Sequence, residues 1–217
     1  MDELAKAIQT KYIEDLTAKY PLHRFIMLFL FLISMYTYSV GDSFIGGVRD
    51  LKLSFIFDFE KGIIEKTSIL ELIACLILTK CASYLYLKTN EKFFFYLAKK
   101  GKFDKYTNEL ESELKGVKSD NNLLNYYLSQ DISKELEKKR VIIKCMNING
   151  EYAITLALII LYGVTGWGFV DILSFIASII CMIYVFIKSF KYYVEQFMPN
   201  YVAEKVLLGA NAKFGDK

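Results

Sequence analysis

The chain has 217 residues, of which 54% are hydrophobic, yet it carries 27 basic and 24 acidic residues and a net charge of +3. The charges are separated from long uncharged blocks, as in a membrane protein with solvated loops. A net charge this small and dispersed argues against a concentrated basic face, so no direct binding of nucleic acid is expected.

The N-terminal segment, residues 1–21, is predicted to form an amphipathic cytoplasmic helix. Leu4, Ile8, Tyr12 and Leu16 are spaced by four along it, and charged residues occupy much of the rest. Its polar face is of mixed sign, so the sequence leaves open whether the helix lies in the headgroup layer or packs on another part of the chain.

Four apolar blocks predict membrane-spanning helices, because a span needs roughly 20 apolar residues. The run from Tyr152 to Ile187 contains one charge, Asp171, and is long enough for two spans joined by a turn near Gly166. The segment ahead of the first block is too long and too acidic for a signal peptide, so we interpret that block as a retained anchor. The predicted spans are residues 22–40, 67–87, 152–169 and 171–188.

The loop between the first two spans, residues 41–66, is predicted to contain a β-strand. Apolar and other residues alternate from Leu51 to Glu60, and Gly46-Gly47 offers a turn ahead of them. The apolar face of this strand includes Phe55, Phe57 and Phe59. Two interpretations stay open: the face lies on the bilayer or on a neighbouring copy, or it is a contact surface for something outside the membrane.

The segment between the second and third spans, residues 88–151, is predicted to be a small helical domain. Thr89 or Asn90 is a candidate cap for its first helix, and Asn149-Gly150 a candidate end for its last. A domain this small is often marginal alone, so we expect it to dock under the membrane or on other copies. The fourth span is expected to run on to Pro199, within the predicted tail, residues 189–217.

The distribution of Lys and Arg predicts the topology. The N-terminal segment, the 88–151 segment and the tail hold 22 of these residues when Arg24 and Lys188, at the adjoining ends of the first and fourth spans, are included. The 41–66 loop holds four, and the turn between the last two spans holds none. Basic residues are enriched on the cytoplasmic side of membrane proteins. We therefore expect both termini and the 88–151 segment in the cytoplasm, and the 41–66 loop on the outer side.

Two charged residues, Glu71 and Lys80, lie inside the second span, where charges are costly and often functional. They are nine residues apart, so they point to opposite faces of a helix and cannot pair with each other. For Lys80 the sequence favours snorkelling or pairing with another helix; Glu71 either bonds across a helix interface or lines a polar path. Glu71 shares a stripe suited to helix packing with Ser68, Cys75 and Thr79.

The turn between the last two spans supplies two predicted anchors. Trp167 fits an aromatic belt at the outer interface, and Asp171 is placed to cap the start of the fourth span. The chain has one histidine, His23, and no dinucleotide, nucleotide or zinc motif, so no enzymatic activity, cofactor or metal is expected. Three of the four cysteines fall within spans and are interpreted as packing residues.

The layout of the chain resembles that of a known family. It combines four spans, a short outer loop with FIFDFE, a helical insert and a tight GVTGWGFVD hairpin. With its Lys-, Ile-, Phe- and Tyr-rich composition, it is similar to small accessory proteins of the bacterial inner membrane, and among them it resembles the membrane subunit of the Kiwa anti-phage defence system. The resemblance implies a homo-oligomeric membrane sensor of attack on the envelope that works with a soluble, DNA-binding cytoplasmic partner.

Three functional hypotheses remain open at this stage. The first is a non-enzymatic membrane sensor or scaffold that signals to a cytoplasmic partner, which fits the large insert and the aromatic loop. The second is an immunity protein of the colicin type, which would block a pore-forming toxin within the membrane. The third is a small ion-conducting pore built around Glu71.

Overall fold

A computed structural model describes residues 21–208 apart from 57, 59, 102, 118–120 and 164–167. Every regular element within these residues is helical, and four helices are long and apolar enough to cross a membrane. For these residues, the prediction of an all-helical fold with four apolar helices long enough to span a membrane is therefore confirmed. The predicted helix of residues 1–21 lies outside the described part of the chain except for Pro21, which begins the first helix.

The helices have the following bounds in chain order. They are α1 (Pro21–Val40), α2 (Phe44–Asp50), α3 (Leu53–Ile56), α4 (Ile63–Lys66), α5 (Ile69–Lys100), α6 (Phe103–Val117), α7 (Asn122–Tyr162), α8 (Phe169–Tyr192) and α9 (Met198–Leu207). A turn of π-helix, Tyr193–Phe197, joins α8 to α9.

The described residues divide into two compact units. Residues 21–88 and 148–184 form the first, which we call the membrane unit because it holds the apolar blocks; residues 89–147 and 185–208 form the second, the polar unit. The helices α5 and α7, and α8 with its extension, each contribute residues to both units.

The core of the membrane unit is built from side chains of three spans. Met27 and Phe31 of α1 pack with Cys75 of α5 and with Ile159 and Ile160 of α7, and all five are almost fully buried. Much of the remaining apolar surface of these helices is exposed in the chain, as expected for helices that face lipid or another protein.

The core of the polar unit is a cluster of aromatic rings. The ring of Phe94 meets those of Phe103, Phe190 and Tyr193 edge to face at centroid distances of 6.2, 5.1 and 5.8 Å. Tyr193 stacks in turn on Phe197 at 5.0 Å. Such contacts are worth about 0.5–1.5 kcal/mol each beyond burial alone, so the π-helical turn is held in place by its own aromatic residues.

The β-strand predicted between Leu51 and Glu60 is wrong for the residues that the structure describes there. Residues 53–56 are helical, and Asp58 Oδ1 accepts hydrogen bonds from the backbone N–H groups of Glu60 and Lys61 at 2.9 and 3.1 Å. One strand has no neighbour to satisfy its backbone, so short helical turns satisfy these groups locally instead.

The helix ends predicted at both edges of the 88–151 segment are also wrong. The helix α5 runs through Thr89 and Asn90, and α7 runs through Asn149 and Gly150 without a break. A Cβ atom at position 150 would overlap the ring of Tyr86, which is fully buried. Gly150 therefore serves close packing between α5 and α7 and does not end a helix.

The fourth span continues past Pro199, where the sequence suggested that it would stop. The backbone N–H of Met198 bonds to the carbonyl of Tyr193, five residues earlier, which makes the turn before the proline a π-helix. Pro199 then stands in the first turn of α9, a position where its missing N–H is tolerated.

Candidate functional site

The loop between α1 and α5 folds back on the end of α1 through an aromatic contact. The rings of Tyr36 in α1 and Phe55 in α3 lie 5.4 Å apart, and both are partly buried. The Lys66 Nζ atom lies 5.7 Å from the centroid of Tyr36 and 5.1 Å from that of Phe55. An ammonium group over two rings is a cation–π arrangement, so these three side chains tie α1, α3 and α4 together.

Two cavities flank Tyr36 and Val40, and we call them together the loop crevice. The larger, about 320 Å³, is lined by Asp42, Asp50 and Phe55 among others. The smaller, about 200 Å³, has Lys66 and Glu71 in its wall. The crevice therefore offers aromatic surface and charges of both signs.

Three local features hold the backbone around the loop crevice. Gly41 has φ +88°, a left-handed conformation that ends α1 and that glycine adopts without strain. Ser43 caps α2 by accepting a hydrogen bond from the Gly46 N–H at 3.2 Å. Gly47 lies directly against Thr37, where a Cβ would overlap the threonine side chain, so α2 packs closely on α1.

Of the three phenylalanines predicted to form an outer contact surface, only Phe55 can be located. Its ring is packed between Tyr36 and Lys66 and lines the loop crevice. Phe57 and Phe59 lie outside the described residues. The described residues of this loop form helical turns that line the crevice, and none of them is in a β-strand.

Glu71 forms a capping box at the start of α5. Its Oε2 atom accepts hydrogen bonds from Ser68 N–H at 2.7 Å and Ser68 O–H at 2.9 Å, and Ser68 Oγ accepts from the Glu71 N–H at 3.2 Å. The Ser-x-x-Glu spacing ahead of an apolar run is the sequence signal for this motif, and the sequence reasoning overlooked it. The polar partner of Glu71 is therefore the residue that caps its own helix, and not a residue of another helix.

Asp171 has the equivalent position at the start of α8. It is 3% exposed, and its Oδ2 atom accepts a hydrogen bond from the Gly168 N–H at 2.9 Å. A carboxylate three residues into a helix satisfies an otherwise free N–H group and favours the positive end of the helix dipole. Trp167, the other predicted anchor, belongs to the residues that the structure does not describe.

The other two residues of the predicted stripe within α5, Cys75 and Thr79, are buried. Cys75 is fully buried with its Sγ atom 3.6 Å from Met35 Sδ, and Thr79 O–H donates to the Cys75 carbonyl at 2.8 Å. Lys80 is exposed on another face and makes no hydrogen bond or ion pair with any residue that the structure describes.

A buried polar cluster joins α1, α5 and α7 within the membrane unit. His23 Nε2 and Glu151 Oε2 are hydrogen-bonded at 3.1 Å, and Ser83 O–H donates to the same Glu151 oxygen at 2.9 Å. The three residues are only 5–6% exposed. In the sequence, Glu151 lies 128 residues from His23 and 68 residues from Ser83, so no local pattern could have predicted the cluster.

Two further contacts hold this cluster in place. The ring of Tyr152 lies edge-on to His23 at 6.5 Å, and Thr155 O–H donates to the Glu151 carbonyl at 2.7 Å. Among the described residues no three His, Cys, Asp or Glu side chains are placed to hold a metal ion. In comparisons with known proteins, no family model, no curated protein and no solved structure matches the chain.

Proposed function

We propose that this chain is a non-enzymatic, homo-oligomeric sensor or scaffold of the bacterial inner membrane, acting in anti-phage defence. Both termini and the 88–151 segment lie in the cytoplasm, and the loop crevice faces outward. An event at the loop is passed to the polar unit, which signals to a soluble cytoplasmic partner.

The observation that carries this proposal is the length of three apolar helices. The candidate spans in α5, in α7 and in α8 with its extension belong to helices of 32, 41 and 39 residues. At 1.5 Å per residue these are roughly 48, 62 and 59 Å long, against a hydrocarbon layer of about 30 Å. A helix that continues without a break from the membrane unit into the polar unit is a direct mechanical path for a shift or rotation.

The structure of the loop crevice supports the proposal that the signal is received there. It is formed by short helices held to α1 by the contact among Tyr36, Phe55 and Lys66. Elements this short contribute few stabilising contacts of their own and open at low free-energy cost. A ligand or a membrane disturbance that moves Phe55 therefore acts on α1, and through α4 on the start of α5.

An exposed apolar patch on the polar unit supports the proposal that this unit contacts the soluble partner. At the start of α7 the polar Asn125 and Ser129 are buried, whereas the large apolar side chains around them are exposed. The exposed residues, which we call the α7 patch, are Leu123, Leu124, Tyr126, Tyr127 and Leu128. A contiguous apolar surface of this kind marks a protein interface, and we assign it to the soluble partner.

The two other functions are less well supported. Glu71, which would line a pore, has its carboxylate bonded to Ser68 at the first turn of α5. An immunity protein that acts within the bilayer has no evident need for helices that continue far beyond it.

The test is to express the chain with the gene next to it and challenge the cells with phage. The proposal expects protection only when both proteins are present, and co-purification of the soluble protein with the membrane-inserted chain. Tyr126→Ser with Tyr127→Ser should abolish co-purification and protection while membrane insertion is unchanged. Lys134→Ser, an exposed change further along α7, is the matched control.

Three outcomes would overturn the proposal. Protection by the chain alone against a pore-forming bacteriocin would establish the immunity function. Ion flux through liposomes that hold the purified chain, abolished by Glu71→Gln, would establish the pore. Full protection by the double tyrosine variant would remove the α7 patch as the signalling surface.

A further inference from the structure

Lys80 stands in the middle of an exposed apolar stripe on α5. Ile73, Ile77 and Tyr84 fall on the same side of the helix and are 48%, 57% and 61% exposed. Lys80 is the sole charged residue between Glu71 and Lys88 in the sequence. A single ammonium group is thus presented on a surface that otherwise suits hydrocarbon, and no described residue of the chain neutralises it.

Lys80 lies near the middle of the apolar run of α5 when Glu71 and Lys88 are taken as the two ends of the span. It lies nine residues from Glu71 and eight from Lys88, or roughly 13 and 12 Å along the axis. The four-carbon stem reaches about 6 Å. Side chains on a helix lean toward its N-terminus, here toward the more distant end, so snorkelling leaves the charge within the hydrocarbon layer.

A second copy of the chain cannot supply the missing anion at this depth. In the described spans, Glu71 is bonded to Ser68, and Glu151 is buried with His23. Asp171 is 3% exposed at the start of α8. Two copies inserted in the same direction would also bring their Lys80 groups to the same depth, where like charges repel each other.

We propose that the stripe Ile73, Ile77, Lys80 and Tyr84 is a docking surface for a membrane-spanning helix of a different protein. That helix carries a carboxylate about midway along its apolar segment. The ion pair removes the cost of a lone charge in hydrocarbon, and the isoleucines and the tyrosine supply the packing that holds two helices together in lipid. This interaction is separate from the soluble partner proposed above and does not depend on it.

The test measures binding of defined peptides to the full chain in dioleoylphosphatidylcholine vesicles at pH 8. The peptides are three Leu/Ala spanning helices that differ at one central residue, which is Glu, Gln or Lys. Energy transfer from a fluorophore on the chain to one on the peptide reports association. We expect the Glu peptide to bind about three- to thirtyfold more tightly than the Gln peptide, the range for a polar contact between helices in lipid.

Variants at position 80 make the test specific. Lys80→Leu should remove the preference for the Glu peptide, and Lys80→Glu should transfer it to the Lys peptide. Lys92→Leu, which removes an exposed lysine of α5 beyond the apolar run, should leave it unchanged. Unaltered helicity and thermal unfolding show that the variants are folded.

Two results would overturn the proposal. Equal binding of the three peptides to the wild-type chain would mean that lipid or water neutralises Lys80. A preference for the Glu peptide that persists in Lys80→Leu would place the binding surface elsewhere.

Discussion

At the scale of single residues, the buried contact between His23 and Glu151 should dominate the stability of the membrane unit. Glu151→Ala leaves the His23 ring nitrogen and the Ser83 hydroxyl buried without this partner, and each buried group left unpaired typically costs about 1–3 kcal/mol, or roughly 2–6 kcal/mol for the two. Glu151→Gln keeps an acceptor oxygen and should cost roughly 1–3 kcal/mol. Thermal unfolding in detergent measures both, and Glu137→Ala, an exposed change on the same helix, is the control.

A double-mutant cycle tests whether the contact between His23 and Glu151 causes the loss of stability. His23→Ala combined with Glu151→Ala should cost clearly less than the sum of the single changes, because the second change removes a group already left unpaired. Additive losses would show that the two side chains act independently, in conflict with the 3.1 Å hydrogen bond between them.

The capping box at Ser68 and Glu71 gives a second prediction at this scale. Ser68→Ala removes the two hydrogen bonds that the Ser68 hydroxyl makes in the box, one to the Glu71 carboxylate and one from the Glu71 N–H. This change should destabilise the chain by about 1 kcal/mol, the usual value for a lost N-cap. Ser112→Ala in α6, whose hydroxyl bonds only a carbonyl in its own helix, should have a smaller effect. An equal loss in the two variants in denaturant unfolding would contradict the capping role.

At the scale of elements, glycine should have opposite effects at two helical positions. Gly150→Ala in α7 forces a Cβ into the Tyr86 ring and should cost about 1–3 kcal/mol, as for other overpacked sites. Gly116 in α6 has nothing within 4 Å of its would-be Cβ, so Gly116→Ala should gain up to about 1 kcal/mol from helix propensity. Unfolding of the two variants side by side gives the comparison, and a gain at position 150 would contradict the close packing.

The helix α7 is also joined to the π-helical turn by Lys139. Its Nζ atom donates to the Gln196 carbonyl at 2.9 Å and lies 3.0 Å from Glu135 Oε1. Lys139→Met should therefore free the turn and increase hydrogen exchange at 193–197, whereas Lys138→Met, at an exposed neighbouring position, should not. Unchanged exchange in Lys139→Met would show that the aromatic residues alone hold the turn.

The contact between Glu135 and Lys139 adds a pH dependence. The hydrogen bond from Lys139 lowers the pKa of Glu135 below its ordinary value. Because the folded pKa is the lower one, the stabilising contribution is present above the ordinary glutamate pKa and is lost as the pH falls through the lowered value. The wild-type chain should therefore be more stable to unfolding than Lys139→Met near neutral pH, and this difference in stability should shrink as the pH becomes acid.

The elements that sequence patterns predicted well are those that depend on composition over many residues. Four apolar blocks gave four long helices because about 20 apolar residues in a row leave few alternatives. The errors arose where one residue type has two uses. Gly150 could end a helix or allow close packing, and Asn90 could cap a helix or bond to a neighbouring one, as its Nδ2 does to Asn147 Oδ1 at 3.5 Å. Only the neighbouring helix decides between these uses. The alternation in the 41–66 loop predicted a strand, but a strand also needs a partner that the loop does not supply.

For the same reason, only part of the candidate site could be predicted from the sequence. The box formed by Ser68 and Glu71 is local and has a readable signature. The cluster of His23, Ser83 and Glu151 depends on three helices meeting, and the contact of Lys66 with Tyr36 and Phe55 depends on how the loop folds back. Neither contact leaves a pattern at fixed spacing.

At the scale of the whole molecule, we propose that a signal received at the loop crevice is passed to the polar unit. The joining elements are α5, α7 and α8 with its extension, which contribute residues to both units. On this account, changes in the loop crevice should abolish the response to phage without preventing insertion of the chain or binding of the soluble partner. Changes in the α7 patch should instead prevent binding of the partner.

The most direct measurement is the efficiency of phage plating on cells that carry Phe55→Ser together with the neighbouring gene. Phe55 packs on Tyr36 and Lys66 in the loop crevice, so the account predicts loss of protection at an unchanged level of membrane-inserted chain that still co-purifies with its partner. Val48→Ser, an exposed change in α2, should protect as the wild-type chain does. Full protection by Phe55→Ser would contradict the claim that this loop is where the signal is received.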